Sequence, residues 1–301
     1  MTEADRQTIG DGEDLCFING AYRPLAEARI SPLDRGFLFG DGVYEVIPVY
    51  SGRPFRLQAH LSRLRRSLDE ARLPSPYSDA EWASLLTRII DSHGGGDQSL
   101  YLQVTRGAPD LRDHAFPDGE RPTVFVMSSP LRAPEARGRS VILVDDIRWR
   151  RCDIKTVSLL PNVLLRQQAI EAGADEAVLI RDGFITEGAA SNLFVVEGGA
   201  LVTPPKSPLL LPGITRDLVV ELAEANGLEC RQENISLARF RSADEVWLSS
   251  STKEVIPVTS VDGQPVGDGR PGPVWWRMRE LYDAFKADLA DPGKREAIST
   301  S

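Results

Sequence analysis

Two stretches of the chain place apolar residues at helical spacing. Leu61, Leu64, Leu68 and Ala71 form one series, and Trp82, Leu85, Leu86, Ile89 and Ile90 form the next, which stops at Gly94-Gly95-Gly96. Both predict amphipathic helices. Around them the pattern changes to short runs bounded by turn residues. CFINGAYRPL reads as a hairpin turning at Asn19-Gly20, and VYEVIPVYSGRPF as a strand turning at Ser51-Gly52. Alternation along that strand puts Tyr44 and Val46 on one face and Glu45 on the other. SLYLQVTRG and TVFVMSSPL are strands on either side of a Pro/Gly/Asp loop, APDLRDHAFPDGERP. The segment SPLDRGFLFGDG reads as tight irregular backbone permitted by Gly36, Gly40 and Gly42.

The second half repeats the mixture with more strand. VILVDDIRW is a strand, and Pro161 then opens a helix whose apolar stripe is Val163, Leu164 and Ile170, with Gly173 as its stop. EAVLIRDGFITEGAASNLFVVEGGALVTP predicts a meander turning at Asp182-Gly183 and Gly198-Gly199. PGITRDLVVELAEANG predicts a helix with Thr215 as N-cap and Asp217 in its first turn, ended by Gly227. DEVWLSSSTKEVIPV runs as a strand into a hydroxyl cluster, Ser249 to Thr252, and a last helix spans about Val274 to Leu289. The polar, proline-broken segment 132–139 reads as a linker. It separates a smaller α/β domain, 15–131, from a larger one, 140–290, with a strand-rich, barrel-like core; residues 1–14 and 291–301 are expected to be disordered. The fold class is α/β, in the α+β sense of mixed strands and helices.

Composition narrows the function. At 301 residues, 42% hydrophobic and 26% charged, the chain has the material for two ordinary globular domains. Its net charge of -9 gives no general attraction to nucleic acid or to an anionic membrane surface, so small-molecule partners are expected, with no nucleic acid and no membrane. Neither an h-region at the beginning nor a later membrane-length apolar run is seen, which predicts a cytoplasmic protein. Cys16, Cys152 and Cys230 lie far apart and outside any metal-ligand spacing, so no metal site is expected.

Lysine usage is the sharper signal. Arginine carries nearly all the positive charge, and no lysine precedes Lys155. An ammonium can lose its proton and act as a nucleophile or base, which a guanidinium cannot do. Beside Lys155 the chain offers an acidic residue in a glycine-flanked strand break, Glu187-Gly188, a Gly-Ile-Thr helix start and the Ser/Thr cluster. Pyridoxal 5'-phosphate needs these four things: a lysine for its aldehyde, a partner for its pyridine nitrogen, and backbone N–H groups and hydroxyls for its phosphate.

The stretches RGFLFGDGVYEV, HLSRL, Arg112-Asp113-His114, DIRWRRCDIK, TEGAASNLF, LPGITRD and SSSTKEVIPV, in this order, resemble the fold-type IV (class IV) PLP-dependent aminotransferases, and among them the D-amino acid aminotransferases most closely. The resemblance runs from about Phe17 to Phe285. It implies that Lys155 is the catalytic residue and holds the coenzyme as a Schiff base, with Glu187 on the pyridine nitrogen and Arg148 supporting the glutamate. It further implies that Arg63, Ile214, Thr215, Ser251 and Thr252 take the phosphate, that Leu211 packs on the coenzyme, and that Ser191 belongs to the same pocket. Tyr44, Val46, Arg112 and His114 would bind substrate, the last two reaching a site of the neighbouring subunit in a homodimer. The activity implied is ping-pong transfer of the amino group of a D-amino acid, D-alanine-like, to a 2-oxo acid such as 2-oxoglutarate. Alternatives within the fold are a branched-chain L-amino acid transaminase, an (R)-amine transaminase and an aminodeoxychorismate lyase. The chain departs from the pattern at the loop after Gly107, which is longer by one residue, and at Ala189 and Ala190, where serines are common. Arg106 is a further possible carboxylate ligand.

Overall fold

The structure, a computed structural model, describes residues 14–119, 121–131 and 137–290. The segments expected to be disordered, apart from Asp14, and residues 132–136 of the expected linker lie outside the described residues. The chain divides into two compact units, one made of residues up to Leu131 together with Lys155–Ser158, the other of Arg132–Ile154 and the chain from Leu159 onward.

In the first unit the elements are β1 (Leu15–Ile18), β2 (Ala21–Pro24), α1 (Arg35–Phe39), β3 (Gly42–Tyr50), β4 (Arg53–Pro54), α2 (Leu57–Glu70), α3 (Asp79–Ser92), β5 (Gln98–Thr105) and β6 (Thr123–Pro130). The strands form one antiparallel sheet in the order β2-β1-β6-β5-β3-β4. Both expected helices are present, and they bury Leu61, Leu64, Leu68, Leu85, Leu86 and Ile89. A capping box between Ser78 and Glu81 fixes the start of α3. The β1–β2 turn has left-handed backbone at both Asn19 (φ 48°) and Gly20 (φ 91°), which suits the twist of a two-residue hairpin.

Two features of this unit escaped the sequence pattern. RGFLF is a five-residue helix, α1, with the Asp34 side chain accepting a hydrogen bond from the Gly36 amide. It is too short for apolar periodicity to reveal. Lys155–Ser158, expected in the second domain, hydrogen-bonds along β3: the Tyr44 amide donates to the Lys155 carbonyl at 2.9 Å and the Val157 amide to the Gly42 carbonyl at 3.0 Å. Backbone pairing of this kind is invisible in side-chain patterning.

The second unit contains β7 (Arg139–Asp145), α4 (Leu160–Glu171), β8 (Glu176–Arg181), β9 (Phe184–Gly188), β10 (Asn192–Glu197), β11 (Ala200–Thr203), α5 (Ile214–Ala225), β12 (Cys230–Gln232), β13 (Ile235–Ser236), α6 (Leu237–Arg241), β14 (Glu245–Ser250), β15 (Glu254–Val261), β16 (Gln264–Pro265) and α7 (Pro273–Ala290). Its sheet runs β12-β11-β10-β14-β15-β7-β8-β9-β13, with β16 beside β15. Strands β9 and β10 are well separated in this order, yet the Gly188 amide donates to the Ser191 carbonyl at 2.7 Å where one runs into the other. The sheet therefore curls on itself, and Val141, Val178, Ile185, Leu193, Val195, Val246, Leu248 and Val258, drawn from strands all round it, fill one core. This is the barrel-like core expected.

Two expectations are corrected. In α4 the buried row is Leu165 and Ala169, while Val163 and Leu164 stay 59% and 53% exposed and Ile170 51%. Both rows are apolar, and the small Ala169 lets the helix approach the sheet, so periodicity selected the wrong row. In α5 the N-cap is Gly213, with no side-chain cap, and Thr215 lies one residue inside the helix. Among the described residues no helix is long and apolar enough to cross a membrane.

The start of α7 is capped from outside the helix. Buried Glu245 accepts hydrogen bonds from the amides of Val274 and Trp275 and from the Trp247 indole, each at 2.9 Å. Glu245→Ala would leave three donors without that partner and is expected to cost about 2–4 kcal/mol, while Glu245→Gln, which keeps an acceptor oxygen, should cost less than half as much. Urea unfolding of the two variants beside the parent measures both.

Candidate active site

Each unit holds its own share of the residues singled out by sequence. In the first, Lys155 is half-buried, and its Nζ lies 4.1 Å from the centre of the Tyr44 ring. Its backbone is held on both sides, the amide donating to Ser67 Oγ of α2 at 3.2 Å and the carbonyl accepting from Tyr44. A backbone fixed at two points aims the side chain over an aromatic face. Tyr44 stacks on Tyr101, whose hydroxyl burial pushes up to about 12. Val46, two residues along β3, shares the Tyr44 face and is half-buried.

Arg63 has a partner within the protein that its expected role did not include. Its guanidinium lies against Glu45, Nε donating to Oε1 and Nη2 to Oε2, each at 2.7 Å, and His60 Nδ1 reaches the same carboxylate at 2.8 Å. All three residues are buried. Burial alone would raise the Glu45 carboxyl, but the charge and hydrogen bonds of Arg63 outweigh it and hold Glu45 well below the usual carboxylate range. Burial also keeps His60 below the ordinary imidazole range, so the cluster is one anion and one cation. The sequence carried a signal for it, a glutamate inside an otherwise apolar strand.

Arg112 and His114 are exposed, and both meet one ring. The Arg112 guanidinium carbon lies 4.7 Å from the centre of Phe39, and the His114 ring lies 5.0 Å from it. Arg106, by contrast, is committed elsewhere. It donates to both oxygens of Asp41 and to the carbonyls of Ala71 and Arg72, which removes it as a carboxylate ligand.

In the second unit the centre is Glu187, at the curl where β9 meets β10. Its carboxylate accepts from Arg148 Nη1, from Asn192 Nδ2 at 3.1 Å and from the Leu211 amide at 3.1 Å. Arg148 in turn is held by Asp146, Nε to Oδ1 at 2.8 Å and Nη2 to Oδ2 at 2.9 Å. Asn192 also donates to the Leu211 carbonyl at 2.7 Å, so Leu211 enters through its backbone at both ends. A Cβ on Gly213 would sit 1.9 Å from Asn192 Oδ1, so only glycine lets the start of α5 come this close. Ile214 and Thr215 follow, both buried. Asp146 and Asn192 were missed as site residues, although each is a polar residue flanking an apolar run.

Ser251 and Thr252 form the turn between β14 and β15 and are half-buried. The buried oxygens of Ser191 and Ser249 have no hydrogen-bond partner among the described residues. Buried hydroxyls without partners, a helix start without a side-chain cap and a buried carboxylate are the donor and acceptor set that a phosphorylated pyridine coenzyme requires, so the residues present fit such a group. Ala189 lies in the small core of Val144, Leu165, Ala169, Ala177 and Leu179, where the usual serine hydroxyl would be buried among apolar groups.

Burial pushes the Glu187 carboxyl from 4.5 up to about 7, against the lowering influence of Arg148. A carboxyl raised in the folded state binds its proton more tightly there than in the unfolded chain, so stability is highest below about 4.5 and falls until about 7. In cofactor-free protein, stability relative to Glu187→Gln is expected to fall by about 3 kcal/mol across that window. Denaturant unfolding of both proteins at several pH values measures it, and a difference independent of pH would contradict this placement of the charge.

Residues 42–261 match a family model described as amino-transferase class IV. The chain is 45% identical over 260 residues to the D-alanine aminotransferase of Bacillus licheniformis, covering 85% of this chain and 91% of that protein. It is 37% identical over 273 residues to the D-alanine aminotransferase of Staphylococcus aureus (strain MW2), covering 89% and 96%. Among solved structures it resembles the T.th. branched-chain amino acid aminotransferase with pyridoxamine 5'-phosphate, at a TM-score of 0.86 and 28% identity over 94% and 96% of the two chains. With the family model and two relatives spanning most of their length in agreement, and a fold held in common with a further aminotransferase, the chain belongs to the class IV aminotransferases.

Proposed function

We propose that this aminotransferase moves the amino group of a D-amino acid, D-alanine or one of similar size, to a 2-oxo acid such as 2-oxoglutarate, using pyridoxal 5'-phosphate. The observation that carries the D-reading is the meeting of Arg112 and His114 on Phe39, which presents a guanidinium and an imidazole together. Two such groups make charge-assisted hydrogen bonds to a single carboxylate. The 45% and 37% identities to D-alanine aminotransferases support the same substrate class. The branched-chain aminotransferase shares the fold at 28% identity, and a fold alone does not choose a substrate.

Pyridoxal 5'-phosphate supplies an aldehyde for the amino group and a ring that spreads the electron pair left at the substrate's alpha carbon. Lys155 supplies the amine, and its Nζ moves the proton at that carbon. Glu187, kept in place by Arg148, Asn192 and the Leu211 amide, sets the protonation of the ring nitrogen. The amides of Ile214 and Thr215 and the hydroxyls of Ser251 and Thr252 would hold the coenzyme's phosphate, with Arg63, oriented by Glu45, supplying a positive charge. Leu211 and Ser191 would serve the coenzyme ring, and Tyr44 and Val46, with Arg112 and His114, the substrate. The two halves of the reaction use the same groups in turn, which gives ping-pong kinetics.

The assembly inferred is a homodimer. Support comes from α4, whose Leu160, Val163 and Leu164 are 68%, 59% and 53% exposed on one helical face. The cytoplasm is the inferred compartment, supported by three unpaired cysteines. The domains proposed are 15–131 and 140–290, as the sequence pattern divides them.

Purified enzyme should turn over D-alanine with 2-oxoglutarate at a kcat/KM at least about 100-fold above that for L-leucine or L-valine. Activity confined to the L-substrates would overturn the D-reading. Lys155→Ala should lower kcat by at least about 10³-fold, measured under single-turnover conditions so that the chemical step is isolated.

A further inference from the structure

Residues 108–119 run without regular structure, and a segment of that kind needs an anchor if its side chains are to hold a fixed geometry. Its start is fixed at Gly107, whose carbonyl accepts from the Arg35 amide at 2.8 Å. Gly107 has a left-handed φ of 90°, and a Cβ there would meet the Arg121 carbonyl oxygen at 2.2 Å, so the far end of the loop closes directly against it. The tip is fixed by the Arg35 side chain. That guanidinium donates to three successive carbonyls, those of Asp113, His114 at 3.2 Å and Ala115 at 3.1 Å, while its Nε donates to Asp41 at 2.8 Å.

Arg35 is only 3% exposed. Asp41, the carboxylate that orients it, is shared with Arg106, whose guanidinium stacks 3.6 Å from the centre of Phe116 just beyond the tip. Burial alone would raise the Asp41 carboxyl, but hydrogen bonds from Arg106 and Arg35 outweigh it and keep Asp41 ionised. Phe39, at the other end of the short helix that Arg35 begins, lies beneath Arg35 (4.9 Å), Arg112 and His114. One five-residue helix thus holds the backbone of Asp113–Ala115 with its first residue and meets the side chains of Arg112 and His114 with its last.

We propose that Arg35 and Phe39 are positioning residues for the Arg112–His114 pair and thereby set how strongly the enzyme selects substrates that carry a carboxylate. The proposal rests on the reading of that pair as the carboxylate ligand. Arg35 touches no substrate; it acts through carbonyls that only a forked, multi-donor cation can hold together, and lysine cannot reproduce that fork. Phe39 acts by offering one flat surface to two side chains that are otherwise exposed.

The test compares Arg35→Lys, Phe39→Leu, Arg112→Ala and the Arg35→Lys/Arg112→Ala double variant of the holoenzyme. Arg35→Lys and Phe39→Leu should each raise the KM for D-alanine about tenfold with kcat within about twofold. In the Arg112→Ala background, Arg35→Lys should add less than about a further twofold, because the residue it positions is gone. Amide hydrogen exchange across residues 108–119 should quicken in both single variants, a readout independent of turnover. A KM within twofold of the parent in both single variants, unchanged exchange, or an undiminished tenfold effect in the double variant would each overturn the proposal. If Arg112→Ala itself leaves KM unchanged, the carboxylate reading falls and takes this proposal with it; if Arg112→Ala raises KM while the two single variants do not, the proposal alone falls. Should Arg35→Lys fail to fold, Phe39→Leu and its double with Arg112→Ala carry the same comparison.

Discussion

The second unit is arranged round the cost of keeping one carboxylate out of water. A buried anion is tolerable only when donors surround it, and Glu187 draws its donors from three places in the sequence: Arg148 after β7, Asn192 at the start of β10 and the Leu211 amide before α5. Satisfying Glu187 therefore draws together β9, β10 and the approach to α5. The curl of the sheet and the glycine at 213 both follow, since β9 must run into β10 and the α5 start must come within contact of Asn192. Even with these donors, burial leaves the carboxyl far more basic than an exposed one.

The first unit solves a similar problem in the opposite sense. Glu45 accepts two hydrogen bonds from one guanidinium and meets an imidazole, and its charge is held firmly. The contrast is one of partners. Arg63 gives Glu45 two hydrogen bonds, whereas Arg148 divides itself between Glu187 and Asp146, and only one of its nitrogens reaches Glu187. A carboxylate that receives a single hydrogen bond from its cation is better suited to meet an additional positive group than one gripped through two. The two carboxylates thus differ in hydrogen-bond accounting and not in burial, which is nearly the same for both.

What was legible in the sequence followed periodicity and turn chemistry. Helices α2 and α3, the hairpin turns and the meander around Glu187 needed only spacing and glycine. The exposed face of α4 was misread because two apolar rows compete there and the smaller side chain, Ala169, decides which one packs. The N-cap of α5 was misread because Thr215 is a good capping residue in isolation, while the tight approach to Asn192 demands glycine at the cap position. Lys155 and Glu187 stood out as residue types in unusual settings. Asp146, Asn192, Arg35 and Asp41 did not, because a supporting residue is defined by the group it touches, and Arg35 reaches groups about eighty positions away through backbone carbonyls that no side-chain motif records.

That last point bears on substrate choice within the family. Relatives named for D-alanine and a structural neighbour named for branched-chain amino acids are both similar to this chain, so the choice of substrate is not made by the sheets that define the fold. It has to reside in parts that can change without disturbing them. The loop that begins at Gly107 is such a part: Gly107 and Arg121 approach closely, residues 108–119 make no strand pairing, and their geometry is delegated to α1. A change of length between Gly107 and Arg112 falls before the chain reaches the Arg35 carbonyl contacts, and in this chain Arg112 lies against Phe39. A module anchored at its base and at its tip can vary in length between the two and still deliver the same pair of side chains.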